Sequence, residues 1–311
     1  MSSVFSAPAA VSAVGPYLNA RAIVDVNQQG ILEHRLSHYS EGMQANISFL
    51  ENPDWCQYYF DTHHRTETFG TRWLAATGRW DDKIVVDIGC GPGNVYATVG
   101  GQPKTLIGVD ISPRALKMAV SVGYTPLLAD AHNLPLVDRF ADIVVLNATL
   151  HHCDDMARVL SEAARLVKPG GILLTDQDPQ RSAWNFKGLG LLLRQVRFPF
   201  YKLINSVHYL PREHRLARRA TELHNRKPGD GLDMEFYAQV LEPLGFIVEV
   251  HPHNHDLGAE VLEGEYGKSS WRLRLSQWLS GIDVKSAAAA QSMICIRSEE
   301  HTSELQSPCN L

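Results

Sequence analysis

Short runs of aliphatic and β-branched residues alternate with helical patterns along the middle of the chain. The runs are Ile84–Ile88, Leu106–Ile111, Ile143–Leu146 and Ile172–Thr175. Buried runs of this length, separated by helices, are typical of a parallel sheet assembled from βαβ units. The pattern therefore predicts an α/β domain that extends from about residue 81 to residue 296.

Local signals place helices between these strands. Ser112-Pro113 combines an N-cap with a proline at the first helical position, and it predicts a helix over Arg114–Val122. Either Asp154 or Asp155 can cap a second helix over Met156–Val167.

An N-terminal region and two insertions interrupt the alternation. Residues 17–80 have apolar positions at helical spacing and predict a helical cap. Residues 179–233 and 253–288 predict helical insertions, the first of them a lid above the carboxyl end of the sheet. Phe246–Val250 and Ser292–Ile296 predict the last two strands.

The composition is that of a soluble globular protein. The 311 residues are 44% hydrophobic, and 29 Lys+Arg against 34 Asp+Glu give a formal net charge of -5. A chain this long can bury roughly 75% of its unfolded surface in one domain. No run reaches the roughly 18 apolar residues of a membrane span. Disordered and collagen-like chains are excluded, and the net acidity disfavours a general nucleic-acid binder.

The cysteines and the two ends of the chain complete this picture. Five scattered cysteines without a CxxC pair fit a reducing cytoplasm better than a disulfide framework. Residues 1–16 are small and apolar, but no Lys or Arg precedes them, so we expect a disordered tail rather than a signal peptide. Residues 297–311 resemble the translation of a sequencing adapter and are expected to be an artefactual tail.

The strongest chemical signal is the segment Val85–Asn94, which reads VVDIGCGPGN. Glycines between a strand and a helix permit a tight turn and let a ligand approach backbone N–H groups. The spacing is GxGxG, whereas a dinucleotide motif would have glycine where Asn94 stands. Asp87, at the end of the strand, suits a cationic part of a ligand such as an ammonium group.

Two more carboxylates follow the next two strands. Asp110 ends the second strand of the domain, where a carboxylate can accept hydrogen bonds from ribose hydroxyls. Asp130 comes just after the third strand and can face an adenine amino group.

Together these motifs resemble the small-molecule branch of the class I S-adenosylmethionine (SAM)-dependent methyltransferases. The resemblance covers about residues 83–177 and includes Asn147–His152 and Leu166–Gly171. It implies a Rossmann-like, seven-stranded, mostly parallel sheet with a terminal antiparallel hairpin, and SAM as the cofactor. The candidate cofactor-binding residues are Asp87, Gly89, Cys90, Gly91, Gly93, Asp110, Ile111, Asp130, Ala131 and Asn147.

Several of these side chains also have a structural interpretation. Asp87 could cap its turn without touching a ligand, and Asp110 could interact only with the dipole of the following helix. Asn147 could simply end its strand. The Cys90 thiol is expected to be packed rather than reactive, because no His or second Cys neighbours it in the sequence.

Two histidines are candidate catalytic residues. Positioning supplies most of the acceleration in methyl transfer, and a base is needed only when the nucleophile must lose a proton. His151 and His152 follow the fourth strand, and His63 and His64 are further candidates. Each could instead cap a helix or pack under the lid. We expect no metal.

The sequence therefore predicts a cytoplasmic methyltransferase that acts on oxygen or carbon of a small, apolar or aromatic molecule. The apolar stretch Leu189–Leu203 is either a buried lid helix or a peripheral membrane contact that collects a lipophilic acceptor. The basic stretch Arg212–Lys227 is either a solvated face or an RNA-binding surface, although we expect no stable nucleic-acid partner. An RNA methyltransferase and a non-catalytic SAM-binding sensor or partner domain are the alternatives.

Overall fold

The computed structural model describes residues 13–36, 38–203 and 211–298. Its centre is a nine-stranded sheet in the order β1-β2-β5-β4-β3-β6-β7-β9-β8. The strands are β1 (Val24–Val26), β2 (Leu32–His34), β3 (Ile84–Ile88), β4 (Thr105–Asp110), β5 (Thr125–Leu128), β6 (Ala141–Asn147), β7 (Val167–Pro179), β8 (Ile247–His253) and β9 (Ser292–Ser298).

Helices precede, connect and follow these strands. Three of them, α1 (Glu41–Glu51), α2 (Pro53–Thr62) and α3 (Glu67–Thr77), come before β3, and α4 (Asn94–Val99), α5 (Pro113–Val122) and α6 (Met156–Leu166) connect strands of the sheet. The others are α7 (Arg181–Trp184), α8 (Gly188–Leu203), α9 (Arg212–Thr221), α10 (Met234–Leu241) and α11 (Trp271–Trp278).

Seven neighbouring strands, in the order β5-β4-β3-β6-β7-β9-β8, form the predicted seven-stranded architecture. β3 pairs in parallel with β4 and β6, β4 with β5, and β6 with β7. β9 runs antiparallel to both β7 and β8. The Rossmann-like sheet with its terminal antiparallel hairpin is therefore confirmed. The strand order reverses at β3, and open α/β sheets bind their ligands outside the carboxyl ends of the strands at such a point.

The prediction that residues 17–80 are helical is wrong for residues 24–34. There β1 and β2 form an antiparallel hairpin, and β2 pairs in parallel with β5. The Asn27 side chain accepts hydrogen bonds from the backbone N–H groups of Gln29 and Ile31, and Gly30 has a φ of 78°. A side chain that bonds its own backbone in this way competes with helix formation, so the chain turns.

The predicted terminal tails also differ from the structure where it describes them. Val14 is fully buried in the core, so the predicted disordered tail is wrong at this residue, and residues 1–12 lie outside the described part of the chain. β9 continues to Ser298, two residues beyond the predicted end, because its backbone pairing with β7 and β8 continues. Residues 299–311 lie outside the described part.

Apolar clusters cover both faces of the sheet, and β3 contributes to each. Val85 packs in the cluster that contains Trp73 and Trp80, whereas the next residue, Val86, packs in the cluster that contains Leu160. Successive side chains of a strand point to opposite faces, so a strand covered on both sides reads as one continuous apolar run. This buried scaffold holds the loops at the carboxyl ends of the strands.

A buried polar network attaches α3 to β7 and β8. Arg72 donates through Nε and Nη2 to Asp176 Oδ2, both at 3.1 Å, and Trp73 Nε1 donates to the same oxygen at 2.8 Å. His253 Nε2 lies 2.7 Å from Asp176 Oδ1. Burial alone would raise the pKa of Asp176, but Arg72 and His253 hold it well below its usual range. The carboxylate therefore stays charged and compensated inside the protein.

Candidate active site

The carboxyl ends of β3, β4, β5 and β6 face one cavity of about 410 Å³, which residues of α1, α2 and α9 cover. Seven predicted cofactor-binding residues line it: Gly89, Gly91, Asp110, Ile111, Asp130, Ala131 and Asn147. All four candidate histidines, His63, His64, His151 and His152, line the same cavity. The structure thus brings together two groups of residues that the sequence only suggested separately.

The glycine loop after β3 has a backbone that other residues would strain. Gly89 and Gly93 have φ values of 72° and 96°. A Cβ on Gly89 would lie 2.5 Å from the Thr149 side chain, and one on Gly93 would lie 3.1 Å from the Tyr124 ring. The loop is therefore compact enough to bring its backbone to the cavity wall.

Asp110 links this loop to β4. Its Oδ2 accepts a hydrogen bond from the Gly91 N–H and its Oδ1 accepts one from the Ser112 N–H, both at 2.8 Å. Burial raises the pKa of Asp110 above its usual range. A carboxylate has about four lone-pair positions, so each oxygen can still accept a hydroxyl. This geometry fits the predicted contact with ribose hydroxyls.

Three buried acceptor oxygens in or near the glycine loop, Asp87 Oδ1, Asn94 Oδ1 and Asn147 Oδ1, have no hydrogen-bond partner among the described residues. The other oxygen of Asp87 accepts from the Tyr124 hydroxyl at 2.6 Å, and burial raises the pKa of Asp87 to about 7. Buried polar atoms without partners are uncommon in folded proteins. Asn147 lines the cavity, so a ligand that carries a donor, such as the ammonium group of SAM, would satisfy its oxygen.

Three predicted cofactor residues lie outside the cavity lining: Asp87, Cys90 and Gly93. Asp87 reaches Tyr124 instead, and Gly93 packs against the Tyr124 ring. Burial raises the pKa of the Cys90 thiol well above its usual value. Since the thiolate is the reactive form, Cys90 has the character of a packed side chain.

His132 is a cavity residue that the sequence reasoning missed. Its backbone N–H and its Nδ1 lie 2.9 and 2.6 Å from Asp130 Oδ1, while its Nε2 accepts from the Asp155 N–H at 3.1 Å. Because Nε2 accepts, Nδ1 carries the proton that is shared with Asp130. His132 therefore orients the carboxylate that is predicted to face adenine, and the local pattern Asp-Ala-His was the available signal.

His151 lies between two carboxylates from different elements. Its Nδ1 is 2.7 Å from Asp178 Oδ1 on β7, and the same oxygen accepts the His151 backbone N–H at 3.0 Å. Its Nε2 is 3.5 Å from Glu222 Oε2, just after α9. Burial alone would lower the pKa of His151, but Asp178 and Glu222 raise it above its usual value. Asp178 thus fixes the ring, and Nε2 is the nitrogen left for proton transfer.

The other three candidate histidines, His63, His64 and His152, have pKa values that are lowered rather than raised. Burial lowers the pKa of His152 and of His64 to about 3, and that of His63 to about 4. The His63 ring stacks on Tyr59 at a centroid distance of 4.5 Å, and His152 Nδ1 lies 2.8 Å from the Thr221 carbonyl oxygen. These rings are neutral at physiological pH and form aromatic walls of the cavity.

Four non-glycine residues that line the cavity have a positive φ. They are His64, Ala148, Gln177 and His255, with φ values of 60°, 51°, 67° and 72°. Ala148 follows the last residue of β6, and Gln177 lies within β7. Non-glycine residues in this region cost about 1–3 kcal/mol each and cluster at functional sites. No local pattern in the sequence indicates them.

An aromatic cluster forms another wall. Phe49, Trp55, Tyr58 and His214 all line the cavity. The His214 ring stacks on Phe49 at 5.5 Å and meets Trp55 edge-on at 4.9 Å, so α9 packs against the N-terminal helices here. This wall offers apolar, aromatic surface to a bound molecule.

The sequence is similar to those of known methyltransferases. Residues 86–175 match the family described as a methyltransferase domain. A ubiquinone biosynthesis O-methyltransferase of Thiobacillus denitrificans is 33% identical over 120 residues, which are 36% of this chain and 51% of that protein. A tRNA (carboxymethyluridine(34)-5-O)-methyltransferase of Arabidopsis thaliana is 38% identical over 95 residues, which are 29% of this chain and 23% of that protein. The chain thus spans about half the length, or less, of these curated relatives.

A solved structure shows the same fold. It is a SAM-dependent methyltransferase of Thermotoga maritima, described as a possible histamine N-methyltransferase, with a TM-score of 0.50 and 19% identity. The match covers 83% of this chain and all of that one. Residues 86–175 therefore match a methyltransferase domain, and the fold is that of the solved SAM-dependent methyltransferase.

Replacement of Asp110 tests the ribose contact. We expect Asp110→Ala to weaken SAM binding by about 1–3 kcal/mol, because charge-assisted hydrogen bonds are lost. Calorimetric titration of the full chain with SAM measures this. Asp138→Ala is the control, since Asp138 is an exposed carboxylate paired with Arg165 outside the cavity. Equal affinities of the two variants would remove the ribose assignment.

Proposed function

We propose that this chain transfers the methyl group of SAM to an oxygen atom of a small apolar or aromatic molecule, with His151 as the general base. The observation that carries the proposal is the pairing of His151 with Asp178 inside the cavity that the glycine loop lines. Both curated relatives described above are O-methyltransferases by name, which supports oxygen as the acceptor atom.

The base explains why oxygen is favoured. Bound SAM supplies an electrophilic methyl group on a sulfonium with a neutral leaving group. A phenol or enol oxygen must lose its proton as it attacks, and a positioned histidine accepts such a proton well. His151 Nε2 would take it, while the Asp178 carboxylate holds the Nδ1 proton and stabilises the imidazolium that forms.

The walls of the cavity support an apolar acceptor. Phe49, Trp55 and Tyr58 present aromatic surface, and His214 of α9 and Glu222, just after that helix, line the same cavity. Closing a site in this way excludes water and strengthens the electrostatic interaction between a base and its carboxylate. A flat, lipophilic hydroxyl compound fits these walls and the base.

An RNA methyltransferase is the second candidate, because one relative is a tRNA methyltransferase and residues 212–227 are basic. Part of that charge has partners within the protein. Arg218 Nε lies 3.5 Å from Glu222 Oε1, and Arg226 Nη2 donates to the Ala220 carbonyl.

Incubation with methyl-labelled SAM separates these functions. The full chain is mixed with fractionated metabolites in one reaction and with total RNA in another, and mass spectrometry identifies what gains the label. We expect label in apolar hydroxyl compounds, incorporated at least about 100-fold more slowly by the His151→Ala variant. Label in RNA would favour the second candidate. SAM binding without labelled product from either pool would favour a sensor or partner domain.

A further inference from the structure

Helix α8 exposes an apolar face that nothing in the described part of the chain covers. Leu189, Leu192, Leu193 and Val196 are 65%, 54%, 37% and 49% exposed. Their spacing of three, four and seven residues places them on one side of the helix. The apolar face of an ordinary surface helix packs on the core instead.

A second helix repeats the pattern. Trp271, Leu275 and Trp278 of α11 are 69%, 39% and 63% exposed, and their spacing of four and seven residues also places them on one side. Leu273, Ser276 and Gln277 are the buried side of the same helix. Two large indole rings that face solvent on so short a helix call for an apolar or interfacial partner.

The two helices pack side by side and present one surface. A Cβ on Gly190 of α8 would lie 2.1 Å from Ser280 Oγ and 2.2 Å from the Ser276 carbonyl oxygen, so the backbones are in close contact. The backbone N–H of Lys187 also donates to Ser280 Oγ at 3.1 Å. We call α8 and α11 with their exposed apolar residues the α8–α11 surface.

The ionisable residues of the two helices have one sign of charge. Within α8 they are Arg194, Arg197 and Lys202, and within α11 they are Arg272 and Arg274; neither helix contains an acidic residue. The chain as a whole has a formal net charge of -5. The sequence of these two helices is therefore basic, although that of the whole chain is acidic.

From this combination we propose that the α8–α11 surface docks on the face of an anionic phospholipid bilayer. Helices that lie in a membrane interface combine leucine and tryptophan on one side with lysine and arginine on the other. Tryptophan is enriched at the depth of the lipid headgroups, and clustered cations are attracted by anionic headgroups. No helix within the described residues is long and apolar enough to cross a bilayer, so the contact is peripheral.

Charge favours a lipid surface over a second copy of the chain. A symmetric dimer built on this surface would bring two copies of these basic helices together, and like charges brought together disfavour association. An anionic bilayer has the opposite charge. The inference concerns binding alone, so it does not depend on the methyl acceptor or on His151.

Vesicle flotation of the full chain tests the proposal. The probes are vesicles of phosphatidylcholine alone and vesicles with about 30% phosphatidylglycerol, a fraction at which clustered cations add to the apolar contribution. We expect binding to the anionic vesicles that falls at least about tenfold in Leu192→Glu/Trp278→Glu and at high salt. The control is Met234→Glu/Leu244→Glu, which changes two residues that are 43% and 49% exposed elsewhere. We expect that variant to bind within about twofold of the unchanged protein.

A second measurement, tryptophan quenching in the unchanged chain, does not depend on whether the glutamate variants fold. Brominated lipid quenches tryptophans that enter the bilayer, and we expect strong quenching of the unchanged chain that Trp271→Phe/Trp278→Phe removes. Equal binding of both glutamate variants, or quenching that persists without these two tryptophans, would overturn the proposal. So would a dimer in sedimentation experiments that Leu192→Glu converts to a monomer, because this surface would then bind a second copy.

Discussion

The His151→Ala variant is expected to lose about 100- to 10,000-fold in kcat, the usual contribution of a general base, while its affinity for SAM stays the same. The reason is that His151 has a carboxylate at each ring nitrogen, Asp178 at Nδ1 and Glu222 near Nε2. Steady-state kinetics with a saturating acceptor and calorimetric titration with SAM measure the two effects separately. A fully active variant would end the candidacy of His151 as base.

His152→Ala is the matched control, because this adjacent ring lines the same cavity but has its pKa lowered to about 3. A group with so low a pKa is a weak base at neutral pH, so we expect less than about a tenfold loss in kcat. A larger loss in His152→Ala than in His151→Ala would indicate that His152, and not His151, is the general base.

The pH profile gives an independent test of the same base. His151 must be neutral to accept a proton, and its pKa is raised above 6.5, so kcat should rise with pH through a value above 6.5. Asp178→Asn removes the carboxylate that contributes most to this rise. We expect the rise of kcat with pH to move to lower pH in this variant, and its maximal kcat to fall. A rise at an unchanged pH would mean that Asp178 has only a structural role.

The Asp176→Asn variant is expected to lower the free energy of unfolding by about 3–5 kcal/mol. Arg72 and Asp176 are both fully buried, and removal of one partner leaves a buried charge without compensation. Denaturant unfolding at pH 7 measures the loss. Asp81→Asn is the control, because it breaks the exposed pair with Arg79, and surface pairs contribute little.

The stability that Asp176 contributes should depend on pH with a definite sign. Its folded pKa is held far below the unfolded value of 3.8, so its contribution is present above pH 4 and declines as the pH falls below the unfolded pKa. The difference between the unchanged chain and Asp176→Asn should therefore shrink in acid. A difference that stays constant between pH 7 and pH 3 would contradict this account.

Local sequence was sufficient where the relevant interactions are local. The run Ile84–Ile88 matches β3 residue for residue, and Ser112 caps α5 by accepting from the Ala115 N–H, as its position before a proline predicted. The glycine spacing identified a loop that does line the cavity. Each of these features depends on side-chain periodicity or on contacts within a few residues.

Local sequence patterns did not predict which distant parts of the chain pair with each other. The hairpin of β1 and β2 joins the sheet through β5, about 90 residues further along the chain, and short strands of this kind have too few residues for a periodic signal. The Tyr124 hydroxyl, which donates to the buried Asp87 carboxylate, lies 37 residues further along the chain. Which neighbour a buried side chain meets depends on packing between elements.

By itself, therefore, the sequence determined the class of fold, the glycine loop and the methyltransferase resemblance, because all of these are encoded by short-range patterns. Only the tertiary structure decided which histidine has the properties of a base. His151 and His152 are adjacent and chemically identical, yet their pKa values shift in opposite directions. The difference arises because β7 and the end of α9 bring Asp178 and Glu222 to one ring and leave the other against a backbone carbonyl.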